Sequence, residues 1–321
     1  MNRDKYKKIL WTHNFPKRKG AGGVWMYNQH QYLKEEVDLY YLNNLRNPFW
    51  FIKHFFVLRK LSKKYDILHA QYGSAVGFLT SFTKSTKILS LKGSDWYRAP
   101  NPSMIHKIRI YVGGLFTKWS MNKFNHIIVM SNEMKNQVQA KYPKKSVETI
   151  VDPIDLDMFF KDFENDSNKG HNEIKKVLFA SVNKNNPIKR FELARKSFEI
   201  LKETLPEAEL IIMSNVSHDE VRDFMKKMDV ILLTSTHEGW PNVVKEMLSL
   251  DKPFVSTNVS DLESIARQTN SCFVCEDDPV ELATALNKSL QAPREDLRKF
   301  VVDFRMENNL NAVRKIYNKY L

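Results

Sequence analysis

Apolar and polar positions along this chain alternate between two textures. Apolar runs of four or five residues are bounded by polar or turn-forming residues. Between them lie longer stretches in which apolar residues return every three or four positions. The first texture marks buried strands and the second marks amphipathic helices. In the first half the pattern predicts strands at 9–13, 38–42, 66–70, 87–91, 126–130 and 147–151. Helices are predicted over 23–34, 48–63, 104–123 and 133–141. A second series predicts strands at 177–180, 210–213, 230–234, 253–256 and 272–275, with helices over 189–203, 219–227, 242–250 and 279–290. A last helical stretch covers 306–321.

Strand, crossover helix and strand in succession describe parallel sheets covered on both faces. The expected fold class is therefore α/β, with two doubly wound, Rossmann-like domains. Between the two series, residues 162–172 (DFENDSNKGHN) carry no apolar period and read as a linker. The expected division is 1–160, 173–300 and a closing segment 301–321 that is free to return to the first domain. Tandem sheets of this kind present the carboxyl ends of their strands to a cleft, where ligands bind.

Charge changes this picture. Residues 1–150 hold 26 Lys and Arg against 8 Asp and Glu, a net of +18, and the remainder is net −5. A half this basic is drawn to polyanions or to an anionic lipid surface. The stretch 48–64 mixes aromatics with cations at helical spacing, and Trp96, Tyr97, Arg98 and residues 107–118 extend the theme. Two readings stay open for it: an interfacial helix in lipid headgroups, or core aromatics beneath a solvated basic face. No apolar run reaches the ~18–20 residues that span a bilayer. After Lys5, Lys7 and Lys8 only Ile9, Leu10 and Trp11 precede Thr12, too short for a secretory signal. The expectation is a cytoplasmic protein, peripheral at the inner face of the membrane. The two cysteines, Cys272 and Cys275, lack further zinc ligands at matching spacing and read as part of a buried strand.

The richest chemistry lies between Met228 and Glu246. An apolar strand ends at Thr234, a loop carries Glu238 and Gly239, Pro241 forces a turn, and a helix begins at Asn242. The first amides of such a helix lack intrahelical partners and can cradle a diphosphate. Glu246, one turn on, looks back along the same face. Alone, the two glutamates read equally as a loop cap and a solvated carboxylate.

Together these residues spell E-G-W-P-N-V-V-K-E from Glu238 to Glu246. The segment resembles the E-x7-E signature of the retaining nucleotide-sugar glycosyltransferases of family four, which have the GT-B fold. The following P-F-V-S-T-N-V-S-D-L-E, ending at Glu263, fits the same pattern. The resemblance implies that Glu238 contacts the donor sugar and Glu246 the ribose hydroxyls. Gly239, Pro241, Asn242 and Val243 would face the phosphates. It implies that Lys189, with Asn183 or Arg190 in place of the family's loop arginine, holds the diphosphate as it leaves. Gly22 and Gly23, in the turn G-A-G-G, would lie on the donor side. His69 would lie near the acceptor, although a histidine at a strand end is more often structural.

The turn L-K-G-S-D-W resembles the family's H-G-x-D, with Lys92 replacing the histidine. Lys92 then supplies charge to the leaving group, or Asp95 orients the acceptor, with Trp96 beside it. A further departure is V-D-P-I-D (151–155), which lacks the family's glycine. The implied partners are a UDP- or GDP-linked sugar and a saccharide or polyprenyl-diphosphate-linked acceptor, as in cell-surface polysaccharide or glycolipid synthesis. No cofactor and no metal are expected, since no D-x-D cluster stands at a strand end. Three other classes compete. A nucleotide-sugar epimerase shares the architecture, and a glycoside hydrolase could use two glutamates. A nucleic-acid-binding protein would be basic, but no recognition motif accompanies the charge, so no nucleic acid is expected.

Overall fold

The computed structural model describes residues 8–17, 23–97, 104–160, 174–181, 183–214 and 216–321, with the side chains of 104–107, 218 and 219 left aside. The predicted linker and Gly22 lie outside these residues. The chain forms two compact units, Met1–Pro153 with Met306–Leu321, and Ile154–Arg305.

The first unit is built on six parallel strands: β1 (Ile9–His13), β2 (Val37–Tyr41), β3 (Ile67–Ala70), β4 (Thr86–Ser90), β5 (His126–Val129) and β6 (Ser146–Thr149), in the order β2-β1-β3-β4-β5-β6. The inner strands β1, β3 and β5 are buried at every position, whereas the edge strands β2 and β6 are partly exposed. Continuous apolar runs belong inside a sheet covered on both faces, and mixed runs belong at its edges. The covering helices are α1 (Val24–Leu33), α2 (Pro48–Leu61), α3 (Ser74–Thr80), α4 (Met104–Met121) and α5 (Asn132–Lys141). Pro48 at the first turn and Asn47, whose side chain accepts from the Phe49 amide, start α2.

The second unit repeats the plan with five parallel strands: β7 (Lys176–Ala180), β8 (Glu209–Met213), β9 (Val230–Leu233), β10 (Phe254–Thr257) and β11 (Phe273–Cys275). Their order is β11-β10-β9-β7-β8. Its helices are α6 (Leu156–Phe160), α7 (Phe191–Thr204), α8 (His218–Lys226), α9 (Asn242–Leu248), α10 (Leu262–Ala266) and α11 (Pro279–Gln291). Strand order reverses between β7 and β9, so the loops leaving their carboxyl ends part there and leave room for a ligand. Those loops are 181–190 and 234–241.

Every predicted strand is present within one or two residues. The helices α3, α6 and α10 were not predicted; each has at most seven residues, too few for the 3.6-residue period to show. The boundary differs as well. Residues 154–160 belong to the second unit, not the first, because the Ile154 amide donates to the Phe304 carbonyl and Phe159 is buried there. Residues 301–305 likewise stay with the second unit. The last helix, α12 (Met306–Asn318), is part of the first. Its buried Tyr317 hydroxyl accepts from Trp11 Nε1 at 2.7 Å and donates to His69 Nδ1 at 2.7 Å. Cys272 and Cys275 are buried and unbridged, and burial pushes their thiols up to about 11 and about 12. They are core residues, not a redox pair.

Candidate functional site

The site in the second unit starts from the loop after β7. Its polar run Asn183-Lys-Asn-Asn folds on itself: Asn183 Oδ1 accepts from the Asn185 amide and Asn186 Oδ1 from the Ile188 amide. Such turns are what asparagine side chains favour. The loop is then tied to the end of β9. Thr234 Oγ1 donates to the Lys189 carbonyl at 2.7 Å, and the Thr236 amide donates to the Ile188 carbonyl at 2.9 Å. These bonds aim Lys189 across the gap between β7 and β9. Its Nζ donates to Glu238 Oε1 at 2.5 Å, and Ser235 Oγ donates to the same oxygen at 2.7 Å. Residues 49 apart in sequence are thus one ion pair, about one-fifth exposed on each side.

Around that pair, the Gly239 carbonyl accepts from Ser260 Oγ at 2.8 Å, which fixes the turn into Pro241. Among the described residues, the amides of Asn242 and Val243 donate no hydrogen bond, as first-turn positions of α9. With only two turns, α9 contributes these amides more than a macrodipole. Glu246 is half-buried, and its carboxylate has no hydrogen-bond partner among the described residues. Burial pushes it up to about 7, against the opposing charge of Lys245.

One donor-side expectation needs correction. Arg190 is not available to a diphosphate: its Nε donates to the Thr234 carbonyl at 2.7 Å, Nη2 donates to the Ser235 carbonyl, and Asp277 takes both terminal nitrogens. The Arg190 bonds hold the Asp277 carboxyl below its usual range. Arg190 therefore shapes the end of β9. Asn183 is exposed; its side-chain oxygen is spent within its own loop, while its Nδ2 donates no hydrogen bond among the described residues. Truncating Arg190 to alanine is expected to cost the second unit about 2 kcal/mol, and Asp277→Ala less, because Asp277 is largely exposed. Urea unfolding midpoints would check this, and an Arg190→Ala midpoint matching wild type would discard the clamp.

In the first unit, Lys92 follows β4. Its Nζ lies 2.5 Å from Asp152 Oδ1 and 3.8 Å from the centre of the Trp25 ring, and Gln29 also donates to Asp152. Burial lowers the Lys92 ammonium, and Asp152 works against that shift. Asp95 is buried and ties the turn together: Oδ2 accepts from the Gly73 amide at 2.6 Å and Oδ1 from the Lys92 amide at 2.8 Å. Burial raises its carboxyl to about 6. A Cβ at position 73 would lie 2.7 Å from Thr117 Oγ1 and 3.1 Å from Asp95 Oδ2, so glycine is required for this approach. Gly93, at φ +103°, makes the turn itself. Trp96 donates from Nε1 to Gln137. Gly23 precedes α1 at φ +94°.

His69 takes the structural alternative. It is buried, its Nδ1 accepts from Tyr317 and Gln71, and its Nε2 donates to Ser90 Oγ at 2.8 Å. Burial holds it well below the usual imidazole range, so it is neutral and faces no acceptor. Sequence reasoning missed Ser235, Ser260, Asp277, Asp152 and Trp25. Asp152, Ser235 and Ser260 stood inside segments already singled out, but as spacer residues; all five become partners only through the fold.

Residues 158–292 match a family model described as glycosyl transferases group 1, and residues 26–131 match one described as glycosyl transferase 4-like. Together with the paired α/β units, these matches support a glycosyltransferase of the GT-B fold. A protein of Methanocaldococcus jannaschii described as an uncharacterised glycosyltransferase is 25% identical over 304 residues, spanning 80% of this chain and 76% of its own. Among solved structures, sucrose-phosphate synthase from Thermosynechococcus elongatus superposes with a TM-score of 0.71 at 12% identity, covering 98% of this chain and 99% of that one. Anabaena HepE, solved with UDP and glucose, gives 0.65 at 12% identity, covering 98% and 100%. A Rickettsia africae glycosyltransferase gives 0.64 at 16% identity, covering 98% and 99%.

Proposed function

We propose that the chain transfers a hexose-type sugar from a nucleoside-diphosphate donor to a saccharide or lipid-linked acceptor, with retention at the anomeric carbon. The observation that carries this reading is the Lys189–Glu238 pair at the strand reversal of the second unit. Lys189 supplies a fixed positive charge for a diphosphate, and its pairing holds Glu238 where a sugar hydroxyl can donate to Oε2, which accepts no hydrogen bond among the described residues. The amides of Asn242 and Val243 add neutral donors. Glu246, with an unfilled carboxylate, suits paired ribose hydroxyls. The UDP bound to Anabaena HepE supports a nucleotide-linked donor. Charge development on the leaving diphosphate is then met by Lys189, and positioning with electrostatics does the catalytic work. Neither an epimerase nor a metal site is needed for this chemistry. The net +18 of residues 1–150 supports an acceptor presented at an anionic membrane.

Titration calorimetry with UDP, GDP and ADP tests the reading, and absence of binding by all three would remove it. The pH dependence is specific. Hydroxyl donors favour the Glu246 carboxylate, so binding releases the proton that burial retains below about 7. Affinity is expected to be flat above that pH and to fall toward tenfold per unit below it. Glu246→Gln should flatten the profile; an unchanged slope in that variant would exclude Glu246 from the ribose site.

A further inference from the structure

The outer surface of the first unit departs from the rule that an exposed helix face is polar. On α4, Ile108, Tyr111, Val112, Leu115 and Trp119 recur at helical spacing and are all exposed, from 39% to 62%. On α2, Phe49, Ile52 and Phe56 form a second exposed row, from 56% to 69%. Half-buried aromatics join the two rows. Phe55 lies 5.3 Å from Phe56 and 5.2 Å from Phe82 between ring centres, and Phe82 lies 5.1 Å from Trp119. Phe51 also bridges to Phe116 at 6.0 Å. One continuous apolar patch therefore faces outward.

The charge around it is of one sign. Neither α2, α3 nor α4 contains a single Asp or Glu, while Lys53, Arg59, Lys60, Arg109 and Lys118 stand on α2 and α4. Lys123 places its Nζ 3.7 Å from the Trp119 ring centre and 4.3 Å from that of Phe82. A cation seated on the exposed aromatic face lies where headgroup phosphates meet acyl chains, as in snorkelling lysines. A second copy of this chain would bring like charge to like charge. A nucleic acid would leave the broad apolar centre without a partner.

We propose that this α2–α4 face docks on an anionic lipid bilayer, its apolar rows entering the headgroup–acyl boundary and its lysines and arginines meeting lipid phosphates. The proposal deepens the membrane-presented acceptor reading above and rests on it only for its purpose. The full chain is floated with phosphatidylcholine vesicles, with and without about one-third phosphatidylglycerol, and each sample is titrated with UDP. Recovery is expected to rise at least about tenfold with the anionic lipid and to fall with added salt. Brominated acyl chains should quench Trp119, and a Trp119→Phe variant should lose that quenching. The triple variant Phe56→Ser, Leu115→Ser, Trp119→Ser, confined to exposed positions, should lose flotation while keeping its UDP titration. Flotation without UDP binding supports this surface and overturns the donor site instead. Equal recovery from both lipids, unchanged flotation of the triple variant, or loss of flotation to competing RNA or to a dimer overturns the surface.

Discussion

Replacing Lys189 by alanine is expected to lower kcat/KM for sugar transfer by about 10²–10³-fold, with most of the loss in kcat. Under the proposed chemistry, negative charge grows on the diphosphate as the glycosidic bond breaks, and Lys189 is the cation that the fold delivers to that spot. The delivery is specific. Thr234 Oγ1 grips the Lys189 carbonyl, two asparagine turns shape the loop behind it, and Glu238 takes the ammonium at 2.5 Å. Losing the ammonium also strips Glu238 of one of its two donors, leaving Ser235 alone. Stability should change by no more than about 1 kcal/mol, since both side chains retain access to water. Lys189→Arg keeps the charge but not the reach, so partial recovery of kcat is expected. Steady-state kinetics with the best-bound nucleotide's sugar donor would decide. A loss confined to KM would mean uniform binding, and wild-type turnover would take Lys189 out of the reaction.

Tyr317→Ala is expected to have the largest effect on stability, about 4 kcal/mol in the first unit. Tyr317 is almost fully buried, so truncation removes an aromatic ring from a close-packed interface between α12 and the sheet. It also leaves Trp11 Nε1 without its partner and removes one of the two donors to His69 Nδ1. The tautomer follows from this chain of bonds. Because the Tyr317 oxygen accepts from Trp11, its proton goes to His69 Nδ1, and His69 donates onward from Nε2 to Ser90. Tyr317→Phe isolates the polar part and should cost about 1–3 kcal/mol, since Gln71 still serves Nδ1. Denaturant unfolding would measure both. A Tyr317→Ala loss below about 1 kcal/mol would mean that α12 adds nothing to this unit.

Of the site, the pieces with strong local chemistry were legible one at a time. Glu238 and Glu246 stood in a dense motif, and Lys189 stood where a polar loop meets a helix. Their pairing was not legible, because nothing local links position 189 to position 238. Arg190 shows the opposite error. A guanidinium next to the key lysine looked like a second phosphate ligand, but Asp277 and the carbonyls of Thr234 and Ser235 consume it. Asp95 and His69 stayed open for the same reason: polar residues at strand ends serve buried backbone or buried side chains as often as ligands, and only the partners distinguish the cases. Likewise, the aromatics of α2 fit either a core or a surface by spacing. Exposure resolved them, Phe51 and Phe55 turning inward and Phe49, Ile52 and Phe56 outward.

Two α/β units, their strands and the segment from Glu238 to Glu246 followed from the sequence alone. Strand and helix periods are local, and a continuous apolar run has no stable place except inside a covered sheet. Tertiary structure decided which charges meet, which polar groups are already satisfied, and which unit α12 completes. Those outcomes depend on contacts between residues tens to hundreds of positions apart, whose energies are set by burial and geometry, and no local pattern encodes either.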